Sequence, residues 1–169
     1  MTGAILMSIR PRYAEAILAG QKSHELRRRF SARPAGSKVF VYASSPVCQL
    51  VGSFSIGSVD TMPAWLVARR RRRATTLSSA EILDYLRGQR HGTLIEVAEP
   101  HRFPAPIGLA QLRAWGLEPP QSYRLLSDAI SHLIEDQIAA SHEVSAIDES
   151  PIDRPHARSP QRRIELLSA

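Results

Sequence analysis

Ionisable side chains occupy six of the eight positions 22–29 in the segment Ala19–Phe30, AGQKSHELRRRF. The alternation of residue types along it is typical of a β-strand, whose successive side chains point to opposite faces. Glu25, Arg27 and Arg29 would share one face, and neither face is apolar enough to pack against an ordinary core. The segment is therefore either a solvated sheet edge protected by charge or a strand that lines a polar cleft for an anionic ligand.

In the cleft interpretation, Glu25 and Arg27 hold each other and Lys22 enters from the turn at Gly20. Neighbouring arginines lower the pKa of a lysine by like-charge repulsion, and a nearby carboxylate restores or uses its proton. A lysine in such surroundings can shuttle protons or bind phosphate. Arg27 and Arg29 would then hold the backbone of an anionic polymer.

Hydroxyl groups form a second set of candidates, at the end of a predicted strand in YASSP. Tyr42, Ser44 and Ser45 could hydrogen-bond a base edge or a phosphate there. The alternative is a strand that ends in a Ser/Pro turn, with Tyr42 in the core.

The third candidate is a run of five arginines, Arg69–Arg73, close to Trp65. Residues 1–73 carry 13 Lys/Arg against 3 acids, whereas the rest of the chain carries 9 against 13. An arginine run binds phosphates without sequence preference, and a nearby aromatic ring can stack on a base. A mobile solvated loop is the alternative, but the concentration of positive charge in one half favours a nucleic-acid partner.

Several classes of protein are disfavoured by what the chain lacks. Its six histidines and single Cys48 have no metal-ligand spacing, so we expect no metal and no cofactor. There is no phosphate-cradling GxxxxGK[ST] or GxGxxG motif. The longest apolar runs are of strand length, which excludes a membrane span. A lone cysteine cannot form an internal disulfide, so a cytoplasmic protein is expected.

The predicted elements place the charged strand in an α+β fold. An apolar strand at Ala4–Ile9 leads into a helix that starts at Pro11 and ends at Gly20. A buried strand follows at Lys38–Pro46, and glycines in 48–60 indicate bulges or the curvature of a small barrel. Later segments predict a short helix running into a basic loop at 62–74, a helix with a capping box at 78–88, a strand at 91–103, a proline-rich turn and short helix at 104–116, and an amphipathic helix at Tyr123–Ala140.

These elements divide the chain into a domain at 1–120, a C-terminal helical segment at 121–143 that packs on it, and a tail at 144–169. The tail is rich in Pro, Ser and charged residues and poor in aromatic residues, so it is expected to be disordered.

Two consecutive segments, LMSIRPRYAEAILAGQKSHELRRR and KVFVYASSPVCQLVGSFSIG, resemble the ASCH domain (activating-signal-cointegrator homology) of the PUA-like superfamily. The family signature, Gly-x-Lys-x-x-Glu-x-Arg after the first helix, is matched by Gly20, Lys22, Glu25 and Arg27. The resemblance covers residues 3–118. It implies a small curved PUA-like β-barrel with flanking helices and a cleft over the signature strand.

The same resemblance implies that this cleft binds RNA, nucleotides or modified bases. Some family members are RNA-binding or transcription-coactivator modules, and others are a ribonuclease and an amidohydrolase acting on N4-acylated cytidine. In the amidohydrolase the signature lysine is catalytic, helped by a threonine three residues later and by a later glutamate. Lys22 matches the lysine, but Glu25 stands at the threonine position, which disfavours that chemistry. The later glutamate would be Glu96 or Glu99.

Three functions stay open from the sequence. The first is a module, with a regulatory role, that binds RNA, DNA or a modified nucleotide, RNA being the expected partner. The second is a small hydrolase, either a ribonuclease or an amidohydrolase, with Lys22 and Glu25 catalytic. The third is a protein-interaction domain whose C-terminal helix docks a partner or forms a homodimer.

Overall fold

The computed structural model describes residues 3–31 and 33–148, with side chains as far as residue 141. The elements in chain order are β1 (Ile5–Ile9), α1 (Pro11–Leu18), β2 (His24–Arg27), β3 (Lys38–Ala43), β4 (Gln49–Pro63), α2 (Ala64–Arg70), α3 (Arg72–Thr75), α4 (Ser79–Tyr85), β5 (His91–Gly108), α5 (Leu109–Ala114), β6 (Tyr123–Leu125) and α6 (Asp128–Asp148).

The six strands form one mixed sheet in the order β2-β5-β4-β3-β1-β6, in which β1 and β3 are parallel and the other pairs antiparallel. The sheet curls into a half-barrel, so its edge strands β2 and β6 approach each other. The ring of Phe30, just after β2, lies 4.7 Å from that of Tyr123 in β6. Side chains rather than a backbone ladder therefore join the two edges, and the predicted α+β fold with a small curved sheet is confirmed.

The central strands are buried on both faces, which explains why their sequences are continuously apolar. In β1, Leu6 packs with Phe40 under α5 and α6, whereas Met7 and Ile9 pack with Ile17 of α1 on the other face. A third, smaller cluster joins Leu26, Leu94, Val67, Ala68, Ile82 and Leu86. This cluster holds α2 and α4 against β2 and β5, and it places the charged strand beneath helices.

Two irregularities bend the long hairpin of β4 and β5. Gly52 lies at a register shift in its pairing with β3 and in its pairing with β5. A bulge in this segment was predicted from its glycines. On β5, residues 103–106 face Val51 alone, so Pro104 and Pro106 fall in a bulge, where proline is tolerated. The proline-rich turn predicted at this point is therefore wrong, because β5 continues to Gly108.

A methyl group at position 52 is expected to destabilise the bend. An added Cβ would lie 2.5 Å from the carbonyl oxygen of His101 and 2.5 Å from a methyl of Leu18. Overpacking of this kind costs about 1–3 kcal/mol, so Gly52→Ala should lower the urea midpoint. Gly108→Ala is the control, since its Cβ would meet nothing within 4 Å; equal stability of the two variants would contradict the close approach.

The C-terminal helix begins later than predicted. Tyr123–Leu125 pairs with Met7–Ile5 as strand β6, because the free edge of β1 offers these residues backbone partners. The helix starts only at Asp128, after Ser127 accepts a hydrogen bond from Ile130 N. It runs to Asp148, beyond the boundary at 143, and residues 149–169 of the predicted tail lie outside the described residues. In the described part of the chain, no helix combines the length and apolarity needed to cross a membrane.

Candidate functional site

A pocket of about 280 Å³ opens between the start of α1, strand β2 and helix α4. Antiparallel pairing with β5 holds the edge strand β2 in place, and Pro11 starts α1 directly after β1, so β2 and the junction of β1 with α1 supply two of the pocket walls. Its polar lining consists of Arg10, Arg12, Tyr13, Lys22, Glu25, Arg27, Arg28, Glu81, Asp84 and Tyr85. Five of these side chains, four arginines and one lysine, carry a positive charge, against three carboxylates, which suits an anionic ligand.

Three charged side chains of the signature strand form a buried ion cluster against this pocket. Lys22 Nζ lies 3.3 Å from Glu25 Oε2, and Arg27 Nε lies 3.0 Å from Glu25 Oε1. Only 2% of Lys22 is exposed, and 6% each of Glu25 and Arg27. Because buried charges persist only when they are paired, a carboxylate between two cations explains how this strand enters the sheet. The solvated-edge interpretation is therefore wrong.

Lys22 is held from three sides. Its ammonium donates a hydrogen bond to the carbonyl oxygen of Thr75 at the end of α3, at 2.8 Å, and lies 5.1 Å from the ring centre of Tyr13. Burial lowers the pKa of Lys22, and the repulsion of Arg27 adds to this, while attraction to Glu25 and a hydrogen bond with it act against the shift. Lys22 therefore releases its proton at a lower pH than an ordinary lysine does.

Arg27 joins the two edges of the half-barrel beneath the pocket. Its Nη2 donates to the carbonyl oxygen of Ser8 in β1 at 2.8 Å, and its Nη1 to Ser122 Oγ at 3.4 Å. The N–H of Nε is not aligned on Glu25, so that 3.0 Å contact is an ion pair rather than a hydrogen bond. With both Nη atoms committed to the protein, Arg27 acts mainly as a support for Glu25.

The mouth of the pocket is crossed by an ion pair between helices. Arg12 Nη2 lies 3.0 Å from Glu81 Oε1, which joins α1 to α4. Hydrogen bonds from Ser78 to Glu81 complete the capping box of α4 and lower the pKa of Glu81, with a smaller contribution from Arg12. Alongside, Arg28 Nε donates to the carbonyl oxygen of Tyr85 at 2.7 Å.

The hydroxyl candidates lie elsewhere. Tyr42 alternates with Val41 along β3, so it points to the opposite face of the sheet, among Phe40 and its neighbours under α5 and α6. Burial there, with a hydrogen bond to Cys48, raises the pKa of Tyr42 to about 12. Ser44 and Ser45 occupy the turn after β3 and do not line the pocket. None of the three hydroxyl candidates therefore shares the pocket with Lys22, and the alternative, a strand that ends in a Ser/Pro turn with Tyr42 in the core, is the one the structure has.

The arginine run is helical where a loop was predicted. Arg69 and Arg70 end α2, Arg71 sits at the break, and Arg72 and Arg73 begin α3. All but the half-buried Arg71 are exposed, and among the described residues no carboxylate lies within 4 Å of any of the five.

This basic surface adjoins the ion cluster, because α3 ends at the residue whose carbonyl oxygen holds Lys22. Trp65, on the first turn of α2, is 59% exposed. Arg29 is also exposed but does not line the pocket.

Neither later glutamate meets Lys22. Glu96 accepts a hydrogen bond from Ser58 and Glu99 one from Ser55, both on the exposed surface. In the part of the chain that the structure describes, no group of three or more His, Cys, Asp or Glu side chains gathers in a way that could hold a metal ion.

Sequence reasoning missed Arg12, Tyr13, Arg28 and Glu81 as pocket residues. Arg12 and Tyr13 could have been identified from the sequence. A helix that starts at Pro11, immediately after a strand, places its first side chains close to the end of that strand. Glu81 was recognised only as a helix cap, because its partner lies 69 residues away in the chain.

No model of a known protein family matches this chain. A curated protein, the ASCH domain-containing ribonuclease of Zymomonas mobilis, is 30% identical over 122 residues, which is 69% of this chain and 80% of that protein. The crystal structure of ASCH from Zymomonas mobilis shares 26% identity and a TM-score of 0.72, covering 82% of this chain and 94% of that one.

The N-terminal domain of Staphylothermus marinus McrB is similar to this chain in fold alone. The TM-score is 0.52 and the sequence identity 13%, covering 81% of this chain and 95% of that domain. These neighbours confirm the predicted PUA-like fold. The signature residues, their burial against a pocket and the match to four fifths of the Zymomonas protein agree in one conclusion: this chain belongs to the ASCH domain family.

Proposed function

We propose that this protein binds single-stranded RNA and cleaves its backbone at the pocket over the signature strand. The observation that carries the proposal is the buried cluster of Lys22, Glu25 and Arg27 against a pocket with a basic lining. A lysine whose pKa is lowered by burial, with a carboxylate partner in a pocket, is a candidate catalytic group. The curated relative is named a ribonuclease, and it is 30% identical to this chain.

In the proposed reaction the RNA supplies its own nucleophile. Lys22 in its neutral form, which is more accessible than for an exposed lysine because burial lowers its pKa, accepts the proton of a ribose 2′-hydroxyl, whose oxygen bonds to the adjacent phosphorus. The bond from phosphorus to the 5′-oxygen breaks, and that oxygen takes the proton back from Lys22. The products are a 2′,3′-cyclic phosphate and a 5′-hydroxyl. Glu25 stabilises the protonated lysine between the two transfers.

The dimensions of the pocket favour one nucleotide at a time. Its volume of about 280 Å³ lies just below the range of about 300–1,000 Å³ for sites that enclose a drug-sized ligand. The rest of a strand must therefore lie outside the pocket. The basic surface of α2 and α3 is adjacent, and its five arginines have no carboxylate partner within 4 Å among the described residues. We propose that it contacts the phosphates and that Trp65 stacks on a base.

Changing Arg69–Arg73 to serine is expected to weaken RNA binding and make it less dependent on salt. For a single strand, each phosphate contact contributes about 0.7 to the slope of log K against log salt. Loss of three contacts would thus lower the slope by about 2, as measured by fluorescence anisotropy across a salt series.

The control changes Arg102 and Arg113 to serine, since both are paired with surface carboxylates away from α2 and α3. An equal fall in slope per arginine removed in both variants would mean that net charge, rather than this surface, sets the affinity.

A binding module without chemistry is the second candidate. The observation that favours it is that the Lys22 ammonium has two protein partners, the carbonyl oxygen of Thr75 and the carboxylate of Glu25. In that case RNA, DNA or a modified nucleotide would be bound and recovered intact.

The amidohydrolase alternative is disfavoured, because Glu25 stands where that family member has its threonine. Incubation with labelled RNA separates binding from cleavage directly.

A further inference from the structure

The ion pair at the pocket mouth differs from the buried cluster beneath it. The side chains of Arg12 and Glu81 are 61% and 44% exposed, so their attraction is screened by water and weak. Each belongs to a different helix of the pocket wall, and both line the pocket. A contact of this kind can open without loss of a buried hydrogen bond.

Most other cations of the pocket already have protein partners. Lys22 is held by Thr75 O and Glu25, Arg27 by Ser8 O and Glu25, and Arg28 by Tyr85 O. Arg12 is different because its hydrogen-bond partners, the Glu81 carboxylate and the Tyr13 hydroxyl, lie at the exposed mouth. A guanidinium also recognises phosphate and carboxylate through the same planar fork.

We propose that Arg12 is a phosphate-binding position at the mouth of the pocket and that Glu81 occupies it while the pocket is empty. The incoming phosphate of the RNA displaces the Glu81 carboxylate from Arg12. This inference rests on the proposed function for the identity of the ligand, a phosphodiester of a single RNA strand.

Glu81 is fixed for this role by its other oxygen. Oε2 accepts hydrogen bonds from Ser78 N at 2.8 Å and Ser78 Oγ at 2.9 Å, so the carboxylate stays at the mouth after Arg12 has turned away. A carboxylate held there repels any anion that Arg12 binds. Glu81 therefore lowers the affinity for phosphate, and only a ligand with further contacts inside the pocket overcomes it.

The decisive variant is Glu81→Gln, because glutamine preserves the capping box while removing the charge. We expect a short single-stranded RNA to bind about 2- to 5-fold more tightly, which is the range of an exposed ion pair converted to a ratio of dissociation constants. Arg12→Gln should weaken binding and lower the salt slope by about 0.7. In the Arg12→Gln background, Glu81→Gln should lose most of its effect.

Glu118→Gln is the matched control, since it removes the same charge from an exposed pair with Arg113 that does not line the pocket. Tighter binding in Glu81→Gln alone, dependent on Arg12, is the expected result. Equal binding by Glu81→Gln and Glu118→Gln would overturn the inference. The proposed function would still stand if the wild type binds RNA and cleaves it through Lys22. No RNA binding by the wild type would overturn both.

Discussion

Replacing Lys22 by methionine is expected to slow the cleavage of single-stranded RNA by about 100-fold or more, the usual range for loss of a positioned acid–base group. Methionine fills much of the same buried space without a charge. Glu25 keeps Arg27 as its partner, so the fold should survive. The measurement is the single-turnover cleavage rate of labelled RNA, with circular dichroism as the check on folding.

The pH dependence gives this prediction a second readout. Burial lowers the pKa of Lys22 below its ordinary value of 10.5, and a base must be neutral to accept a proton. The wild-type rate should therefore rise with pH and level off below pH 10.5, and the residual rate of Lys22→Met should lack this rise. Lys38→Met is the control, because Lys38 is an exposed lysine paired with Glu135. A wild-type rate that falls as the pH rises would show that the charged lysine is the active form.

Replacing Glu25 by glutamine is expected to have the largest effect on stability. The change leaves Lys22 and Arg27, both almost wholly buried, without the carboxylate between them. Removing one partner of a buried ion pair costs about 3–5 kcal/mol of unfolding free energy. Urea denaturation should show this loss, whereas Glu135→Gln, in an exposed pair with Lys38, should cost no more than about 1 kcal/mol.

Two further measurements separate a charge effect from a packing effect. Adding Lys22→Met to Glu25→Gln removes one of the two repelling cations, so the double variant should be more stable than the sum of the single losses predicts. The deficit of Glu25→Gln should also shrink as the pH rises towards 10.5. Attraction to Glu25 and the hydrogen bond with it raise the pKa of Lys22, so in the folded variant that pKa lies lower than in the folded wild type. As the pH rises, the folded variant therefore releases the Lys22 proton first while its unfolded chain keeps it, and the variant gains more stability than the wild type. A deficit independent of both pH and Lys22 would point to packing.

The buried cluster was predictable because its three members lie within six residues of one strand. The two-residue spacing predicted that Glu25 and Arg27 lie on one face of the strand. The turn at Gly20 predicted that Lys22 approaches them. The choice between a solvated edge and a polar cleft was not predictable from spacing, since it depends on what covers the strand. Helices α3 and α4, from residues 72–85, decide it.

Contacts between distant segments account for most of what the sequence did not predict. Tyr42 was a candidate for ligand binding because of its hydroxyl, with a core position as the alternative. Its strand is apolar throughout, so the sequence pattern cannot tell which of its two faces Tyr42 lies on. Tyr123–Leu125 fits a helical pattern but pairs with β1, because a free strand edge outweighs a weak local preference. The partnership of Arg12 with Glu81 depends on the packing of α4 against the sheet.

The most direct test of the central claim is incubation of the purified protein with an end-labelled single-stranded RNA and with the same RNA carrying one 2′-deoxyribose. We expect cleavage that leaves 2′,3′-cyclic phosphate ends, that is blocked at the deoxy position and that is lost in Lys22→Met. RNA recovered intact, or cleavage equally fast in Lys22→Met, would contradict the assignment of catalysis to this pocket.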